Sequence, residues 1–259
     1  MFAFGNPASA SGSPLRVVRD DERDVNQARR VMGRLQGAGY NVGMPRLLIA
    51  DDHPLFRAAL RQAAAAVVGR DIAEADTLPA AFEILEQDTA IELVLLDLHM
   101  PGANGLSGLA ALRGQYPGVA VLVVSAHDTP AVIRRVLDHG AAGFISKSAG
   151  ASRIDEAITA VLDGGEWVAP ELAERVRTEP GEAGDRQLAA RLASLTSQQF
   201  RVLGLLSRGL LNKQIADQLN IQERTVKAHV TAIFEKLGVR NRTQASNLLH
   251  SLDLSPPTL

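Results

Sequence analysis

The sequence predicts a doubly wound α/β domain with a five-stranded parallel sheet, followed by a small all-α domain of four short helices. Between residues 45 and 165, apolar runs of strand length alternate with helix-length stretches, and the connections are short. Such alternation favours a parallel sheet with helices on both faces. From residue 193 onward the pattern is helical only, and two of the helices are separated by just Asn220-Ile221-Gln222. A tight turn between two helices is typical of a helix-turn-helix.

The predicted elements are as follows. The strands are Arg46–Ala50, Ile72–Ala75, Leu93–Leu96, Ala120–Val124 and Gly143–Ser146. The helices that alternate with them are Pro54–Val68, Leu78–Gln87, Leu106–Tyr116, Pro130–His139 and Ser152–Leu162. The C-terminal helices are Ser197–Ser207, Asn212–Leu219, Glu223–Leu237 and Arg242–Leu252.

The length of 259 residues suits two compact domains. We predict a weakly ordered N-terminal extension over residues 1–44, where Met44 would make a natural start immediately before the first strand. Residues 45–165 form the α/β domain, and residues 193–252 form the helical one. Residues 166–192, with two prolines, two glycines and five glutamates, are expected to be a hinge or partly helical linker without a core of its own. Residues 253–259 are a tail.

Charge is distributed unevenly along the chain. Residues 45–165 contain nine Lys and Arg against fifteen Asp and Glu, whereas residues 195–250 contain eight against three. A basic half favours a polyanionic partner such as nucleic acid, although two solvated surfaces of different composition would give the same count. The chain has no cysteine, no apolar run of membrane-spanning length and no pattern of a secretory signal. We therefore expect a cytoplasmic protein without a membrane partner.

Polar residues follow the ends of four predicted strands. In a parallel α/β sheet, ligands bind beyond the carboxyl ends of the strands. Clustered carboxylates recruit a hard cation, and Mg²⁺ prefers oxygen ligands and phosphate-bearing partners. A lysine and a hydroxyl can bind phosphoryl oxygens, and an aspartate can act as the nucleophile. The residues at these strand ends are Asp51, Asp52, Asp97, Ser125 and Lys147.

Residues 45–165 resemble the flavodoxin-like, CheY-like receiver domain of bacterial response regulators. The motifs that carry this resemblance are Leu48–His53, Val94–Gly102, Val124–Ala126 and Gly143–Lys147. The resemblance implies that Asp97 accepts a phosphoryl group, and that Mg²⁺ is held by Asp51, Asp52, Asp97 and the backbone carbonyl of His99. It also implies that Ser125 and Lys147 bind the phosphoryl oxygens and that Phe144 is the aromatic switch residue. His99 and His127 lie two residues after Asp97 and Ser125, where family members vary; for each, an exposed loop residue is the simpler interpretation.

The helical domain has a polar face suited to DNA. Along Glu223–Leu237 the outward positions include Arg224, Lys227, Ala228 and Thr231, and a helix with such a face can enter the major groove. Asn212 and Lys213 begin the preceding helix, where free backbone amides assist phosphate contacts.

Residues 193–252 resemble the LuxR-type, or GerE-like, helix-turn-helix. This likeness implies that Glu223–Leu237 is the recognition helix, with Lys227, Ala228 and Thr231 nearest the bases, and with Thr225 and Lys213 nearer the backbone. It also implies that the final helix forms a dimer surface. Two residues depart from the family pattern: Gln199 replaces the usual glutamate, and Gln222 replaces a serine that would cap the recognition helix. Because glutamine is a poor N-cap, the second change is expected to cost about 1 kcal/mol of local stability.

Together the two likenesses identify a NarL/FixJ-family two-component response regulator, a transcription regulator rather than an enzyme. They imply phosphorylation of Asp97 by a sensor histidine kinase and gated, dimeric, sequence-specific binding to double-stranded promoter DNA. We expect the unphosphorylated receiver to pack against the DNA-binding domain and mask its recognition helix. Two alternative functions use similar residues. A haloacid-dehalogenase-like phosphotransferase requires a second aspartate two residues after the first, where this chain has His99. A constitutive DNA-binding protein with a vestigial receiver stays open.

Overall fold

The computed structural model describes residues 46–103, 105–181 and 183–252. The predicted N-terminal extension, residues 1–44, and the predicted tail, residues 253–259, lie outside the described residues. The strands are β1 Arg46–Ala50, β2 Ile72–Ala75, β3 Ile91–Asp97, β4 Ala120–Ser125 and β5 Gly143–Ser146. The helices that alternate with them are α1 Pro54–Val68, α2 Leu78–Gln87, α3 Leu106–Gln115, α4 Pro130–Asp138 and α5 Ala151–Leu162. The remaining helices are α6 Pro170–Thr178, α7 Ala183–Ala193, α8 Ser197–Ser207, α9 Asn212–Leu219, α10 Glu223–Leu237 and α11 Arg242–His250.

The five strands form one parallel sheet in the order β2-β1-β3-β4-β5. Because side chains alternate across a strand, β1 sends Leu47 and Ile49 to one face and Leu48 to the other. The first face is covered by α1 and α5, and the second by α2, α3 and α4. The predicted doubly wound α/β fold is confirmed, and the C-terminal helices are also confirmed.

Helix starts follow local sequence. Proline occupies the first turn of α1, α2 and α4, where its missing N–H is not needed. The side chain of Thr77 caps α2, and that of Thr129 caps α4 by accepting from the Val132 amide at 3.4 Å. The observed ends differ from the predicted ones by one or two residues; β3, for example, begins at Ile91 and includes Asp97. Element ends are the least regular parts of the backbone, so such differences are expected.

The segment predicted as a linker is mostly helical and packs against the α/β domain. Its first residues add a bridge to the edge of β5, where the Trp167 amide donates to the Ala142 carbonyl and its own carbonyl accepts from the Phe144 amide, both at 3.0 Å. A side chain on Gly143 would meet the Trp167 carbonyl at 2.4 Å, so this close approach requires glycine. Further on, α7 packs along α3, and its apolar residues join the core beneath α2, α3 and α4.

Candidate functional site

The acidic site lies where the strand order reverses. The chain runs from β1 outward to β2 and then returns to the other side of β1 as β3, which leaves a crevice at the carboxyl ends of β1 and β3. Asp51 follows β1 directly and Asp97 is the last residue of β3. Both carboxylates are 1% exposed, although an unpaired buried carboxylate is costly. Asp52 is one-third exposed at the mouth of the crevice.

Lys147 joins the two buried carboxylates. Its Nζ lies 2.7 Å from Asp51 Oδ2 and 2.9 Å from Asp97 Oδ2. Burial by itself would lower the pKa of Lys147, but hydrogen bonds to Asp51 and Asp97 and their negative charges outweigh it and raise the pKa. The lysine is therefore held as a cation directly beside Asp97.

Ser125 and Phe144 lie on neighbouring strands of the same crevice. Ser125 ends β4, is fully buried, and follows Val124, the residue paired with Asp97. Its carbonyl accepts from the Lys147 amide at 2.8 Å, which fixes the start of the lysine loop. Phe144 is 2% exposed and lies in the core on β5. The structure thus brings Asp51, Asp52, Asp97 and Lys147 together in direct contact or within one cluster, and places Ser125 and Phe144 on the adjoining strands.

Three residues of this crevice carried no predicted role. His53 Nδ1 lies 2.7 Å from Asp52 Oδ1, and its imidazole joins Asp51, Asp52 and Asp97 in a cluster whose potential ligand atoms lie within 4.8 Å of one another. The ring of Phe56 lies under Lys147, with Nζ 4.9 Å from its centroid. Arg57 donates to the Asp51 carbonyl at 2.6 Å. All three lie within five residues after Asp52, and this adjacency was the only signal in the sequence.

The loops after β3 and β4 begin in the same way. The His99 amide donates to Asp97 Oδ1 at 3.2 Å, and the His127 amide donates to Ser125 Oγ at 3.2 Å. Each strand-end side chain therefore holds the loop backbone two residues downstream.

The helix-turn-helix presents the predicted polar face to solvent. Arg224, Lys227, Ala228 and Thr231 are all exposed on α10, at a spacing that places them on one side of the helix. Lys227 pairs with Glu223 at 2.9 Å, and both side chains are largely solvated. Three residues were predicted to contact the sugar-phosphate backbone of DNA. Lys213 is exposed in the first turn of α9, while Asn212 and Thr225 are half-buried.

The turn and the caps of this domain follow from single residues. Asn220 ends α9 in the left-handed conformation, with φ 51°, which asparagine tolerates better than most residues. Gln222 makes no side-chain hydrogen bond as the N-cap of α10, so the prediction of a poor cap is confirmed. Gln199 forms a reciprocal capping box with Thr196 and accepts from Lys236 Nζ at 2.8 Å.

An ionic junction, formed by Arg135, Asp138, His139, Asp185 and Arg186, connects α4 to the linker helix α7. Arg135 Nε donates to Asp185 Oδ2 at 2.9 Å, and Arg186 Nε donates to Asp138 Oδ1 at 3.0 Å. His139 is fully buried, with Nε2 3.8 Å from Asp185 Oδ1. Burial lowers the pKa of His139, and the charge of Asp185 only partly offsets this effect. The junction therefore favours a neutral imidazole between oppositely charged side chains.

The α/β domain also contacts the end of the last helix. The Leu106 amide, at the start of α3, donates to the Leu252 carbonyl at 3.1 Å. Arg135 Nη2 donates to the Ser251 carbonyl at 3.1 Å, and Leu252 is fully buried. On α8, Phe200 packs edge-on against Phe82 with ring centroids 6.4 Å apart.

The expectation that the recognition helix is masked is wrong. The α/β domain packs against α8 and the end of α11, and α7 contacts α10 near its C-terminus, where Arg191 donates to the Leu237 carbonyl at 3.2 Å. The polar face of α10 lies further toward its N-terminus and is exposed. The physical reason is that α3 and α4 offer their apolar surfaces to α7 and α8 instead.

Family models and related proteins agree with this architecture. Residues 47–159 match the model of the response regulator receiver domain, and residues 193–249 match that of the bacterial regulatory proteins of the luxR family. The glycerol metabolism activator of Pseudomonas putida is 40% identical over 207 residues, which cover 78% of this chain and 93% of the relative. This chain belongs to the NarL/FixJ family of response regulators.

A second relative supports the family assignment, and a solved structure shares the fold. The probable transcriptional regulatory protein NarL of Mycobacterium tuberculosis is 38% identical over 207 residues, with 77% of this chain and 91% of the relative covered. A crystal form of the RcsB response regulator of Salmonella typhimurium shares the fold, with a TM-score of 0.50, 22% identity, and 81% of this chain and 100% of that chain covered. The NarL/FixJ regulator described here is thus a transcriptional response regulator that binds DNA. Across the described residues, no helix has the length and apolar character required to cross a membrane.

Proposed function

We propose that Asp97 accepts a phosphoryl group from a sensor histidine kinase, and that this modification controls dimeric, sequence-specific binding of the helix-turn-helix to promoter DNA in the cytoplasm. The observation that supports this proposal most strongly is the pairing of Lys147 with two almost fully buried carboxylates at the switch point of the sheet. A structural ion pair needs only one carboxylate. The second, with Asp52 beside it, leaves negative charge that suits a divalent cation.

The carboxylates fit Mg²⁺ as a partner. Asp51, Asp52 and Asp97 supply hard oxygen ligands within 4.8 Å of one another, and the carbonyl of His99 follows in the loop after β3. When bound, the ion would neutralise charge on the phosphoryl oxygens. In the transfer, a carboxylate oxygen of Asp97 attacks phosphorus and the bond from phosphorus to the donor breaks, which gives an acyl phosphate. Lys147 then turns to a phosphoryl oxygen, and Ser125 provides a hydroxyl one strand away.

The exposed face of α10 supports DNA binding in the major groove. Lys227, Ala228 and Thr231 would contact base edges, and Arg224, Thr225, Lys213 and Asn212 would contact the sugar-phosphate backbone. Because this face is already exposed, phosphorylation does not need to uncover it.

Control would instead act through the end of α11. Both loops that leave the phosphoryl site lead into helices that hold this end: the loop after β3 leads to Leu106 on α3, and the loop after β4 leads to Arg135 on α4. The final helix is the expected dimer surface. We infer that contact of this end with the receiver hinders the approach of a second copy on an adjacent half-site. A shift of either loop on phosphorylation would release it.

The chemistry at Asp97 is tested by incubating the purified full chain with a small phosphodonor and Mg²⁺ and resolving the products on a phosphate-binding gel. We expect a retarded band for the wild-type chain and none for Asp97→Asn. Asp52→Asn should retain Asp97 but slow acceptance, because it removes only a cation ligand. A retarded band of equal intensity in Asp97→Asn would contradict the assignment of the acceptor.

A further inference from the structure

Two histidines meet above the phosphoryl site from separate loops. His99 lies after β3 and His127 after β4, and their imidazole centroids are 4.9 Å apart with the rings tilted by 40°. Together with His53 they place three of the six histidines of the chain around one pocket, which Asp97 and Lys147 also line. The backbone that carries each ring is restrained, because the His99 amide donates to Asp97 and the His127 amide donates to Ser125.

Each of these rings has a buried nitrogen without a hydrogen-bond partner in the part of the chain that the structure describes. These atoms are Nε2 of His99 and Nδ1 of His127. His99 Nδ1 faces the other way, 3.9 Å from Asp97 Oδ1, so Nε2 is the nitrogen left for another partner. Buried polar atoms normally have a hydrogen-bond partner, so an unpartnered ring nitrogen can accept a bond from a ligand.

We propose that His99 and His127 form a two-imidazole site for a borderline transition-metal ion such as Zn²⁺, distinct from the carboxylate site for Mg²⁺. Neutral imidazole is a good ligand for Zn²⁺, Ni²⁺ and Cu²⁺ but a poor one for Mg²⁺. At a Zn–N distance of about 2.0–2.1 Å, two nitrogens of a tetrahedral site lie about 3.4 Å apart. This spacing is compatible with rings whose centroids are 4.9 Å apart. Water would complete the coordination.

An ion at this position would connect the loops after β3 and β4. These are the loops that flank Asp97 and Ser125, so the ion would fix them in the present arrangement and slow phosphoryl acceptance. This consequence rests on the proposed role of Asp97, whereas binding of the ion does not. The site would make the regulator respond to the level of a transition metal as well as to its kinase.

Binding is tested with Co²⁺ as a spectroscopic probe. The full chain is titrated with Co²⁺ in millimolar Mg²⁺, which keeps the carboxylate site filled, and Zn²⁺ is then added as a competitor. We expect visible absorption bands of a nitrogen-ligated ion that saturate with one equivalent and disappear with Zn²⁺. His99→Asn and His127→Asn should each weaken binding by more than the roughly 10–100-fold that loss of an outer-shell partner costs.

Control variants separate this site from other sources of binding. His250→Asn removes an exposed histidine at the end of α11 and should bind Co²⁺ as the wild type does. Asp52→Asn alters only the carboxylate site and should leave the bands unchanged. Wild-type affinity in both His99→Asn and His127→Asn, or bands that disappear in Asp52→Asn instead, would overturn the proposal and leave the two rings as a packing contact.

The effect on phosphorylation is measured separately on a phosphate-binding gel. With Mg²⁺ and a phosphodonor present, Zn²⁺ should slow acceptance in the wild-type chain but not in the His99→Asn/His127→Asn double variant. Equal slowing in both proteins would overturn the coupling. If the wild-type chain binds Co²⁺ but accepts no phosphoryl group, the proposed function is contradicted and the proposed metal site is not.

Discussion

Replacing Arg135 with alanine should release the end of α11 without phosphorylation. The guanidinium donates to Asp185 Oδ2 at 2.9 Å, to Asp185 Oδ1 at 3.4 Å and to the Ser251 carbonyl at 3.1 Å. It is therefore the one side chain among the described residues that bonds both the linker helix α7 and the end of α11 to the receiver. Its removal leaves the Asp185 carboxylate, which is 7% exposed, without its guanidinium ion-pair partner.

The size of the effect follows from burial. Breaking a fully buried pair costs about 3–5 kcal/mol, but the Arg135 side chain is 29% exposed and solvent screens part of the interaction. We therefore expect the packed arrangement to lose about 2 kcal/mol, which corresponds to a change of about 30-fold in its equilibrium with the released form. If the released form is the one that dimerises on DNA, affinity without phosphodonor should rise by up to the same factor.

The assay is fluorescence anisotropy with labelled duplex DNA selected from a random library by the phosphorylated wild-type chain. Arg135→Ala should bind this DNA more tightly than the wild type when no donor is present, and about equally when donor and Mg²⁺ are added. Arg61→Ala is the matched control, because Arg61 on α1 pairs with Glu74 at 2.6 Å in a solvated position remote from α7. Equal affinity of Arg135→Ala and wild type without donor would refute the gating contact.

Three further changes probe the junction and the recognition helix. Gly114→Ala should weaken the packing of α7 on α3 and lower the melting temperature, since an added Cβ would meet the Ala193 carbonyl at 2.0 Å. Gln222→Ser should stabilise the chain against urea by about 1 kcal/mol, because serine caps α10 where glutamine does not. Lowering the pH should destabilise the wild type more than His139→Leu in thermal melts. The pKa of His139 lies below its ordinary value of 6.5, so stability is complete above pH 6.5 and falls as the pH decreases toward the lowered pKa.

Opposite results would be equally informative. An unchanged melting temperature in Gly114→Ala would show that α7 can move away at no cost. Equal acid sensitivity of wild type and His139→Leu would assign the effect to other groups. No gain in Gln222→Ser would indicate that the first turn of α10 is stabilised by packing alone.

The acidic site was predictable because it depends on local pattern. Asp51, Asp97, Ser125 and Lys147 each follow or end a short apolar strand, and parallel strands bring such ends to one edge. The roles of Phe56 and Arg57 could not be predicted from this pattern. Their contacts with Lys147 and the Asp51 carbonyl depend on how α1 is oriented above the sheet.

The junction between the domains was not predictable in this way. Arg135 and Asp185 are separated by 50 positions, and neither belongs to a periodic pattern that marks a contact. The glycines and prolines of the linker suggested a hinge, but the packing of α7 against Gly114 arises from surface complementarity, which has no short-range signal. For the same reason the sequence did not show which surface of the helical domain contacts the receiver: masking of α10 was predicted, whereas the structure has a contact at Leu252.

If phosphorylation of Asp97 controls DNA binding, the affinity for operator DNA must depend on the phosphodonor. The full chain and Asp97→Asn are titrated onto the selected duplex by anisotropy, each with and without a small phosphodonor in Mg²⁺. We expect tighter, dimeric binding of the wild-type chain with donor, and no effect of the donor on Asp97→Asn. The same affinity in all four titrations would contradict this expectation and favour a constitutive DNA-binding protein with a vestigial receiver.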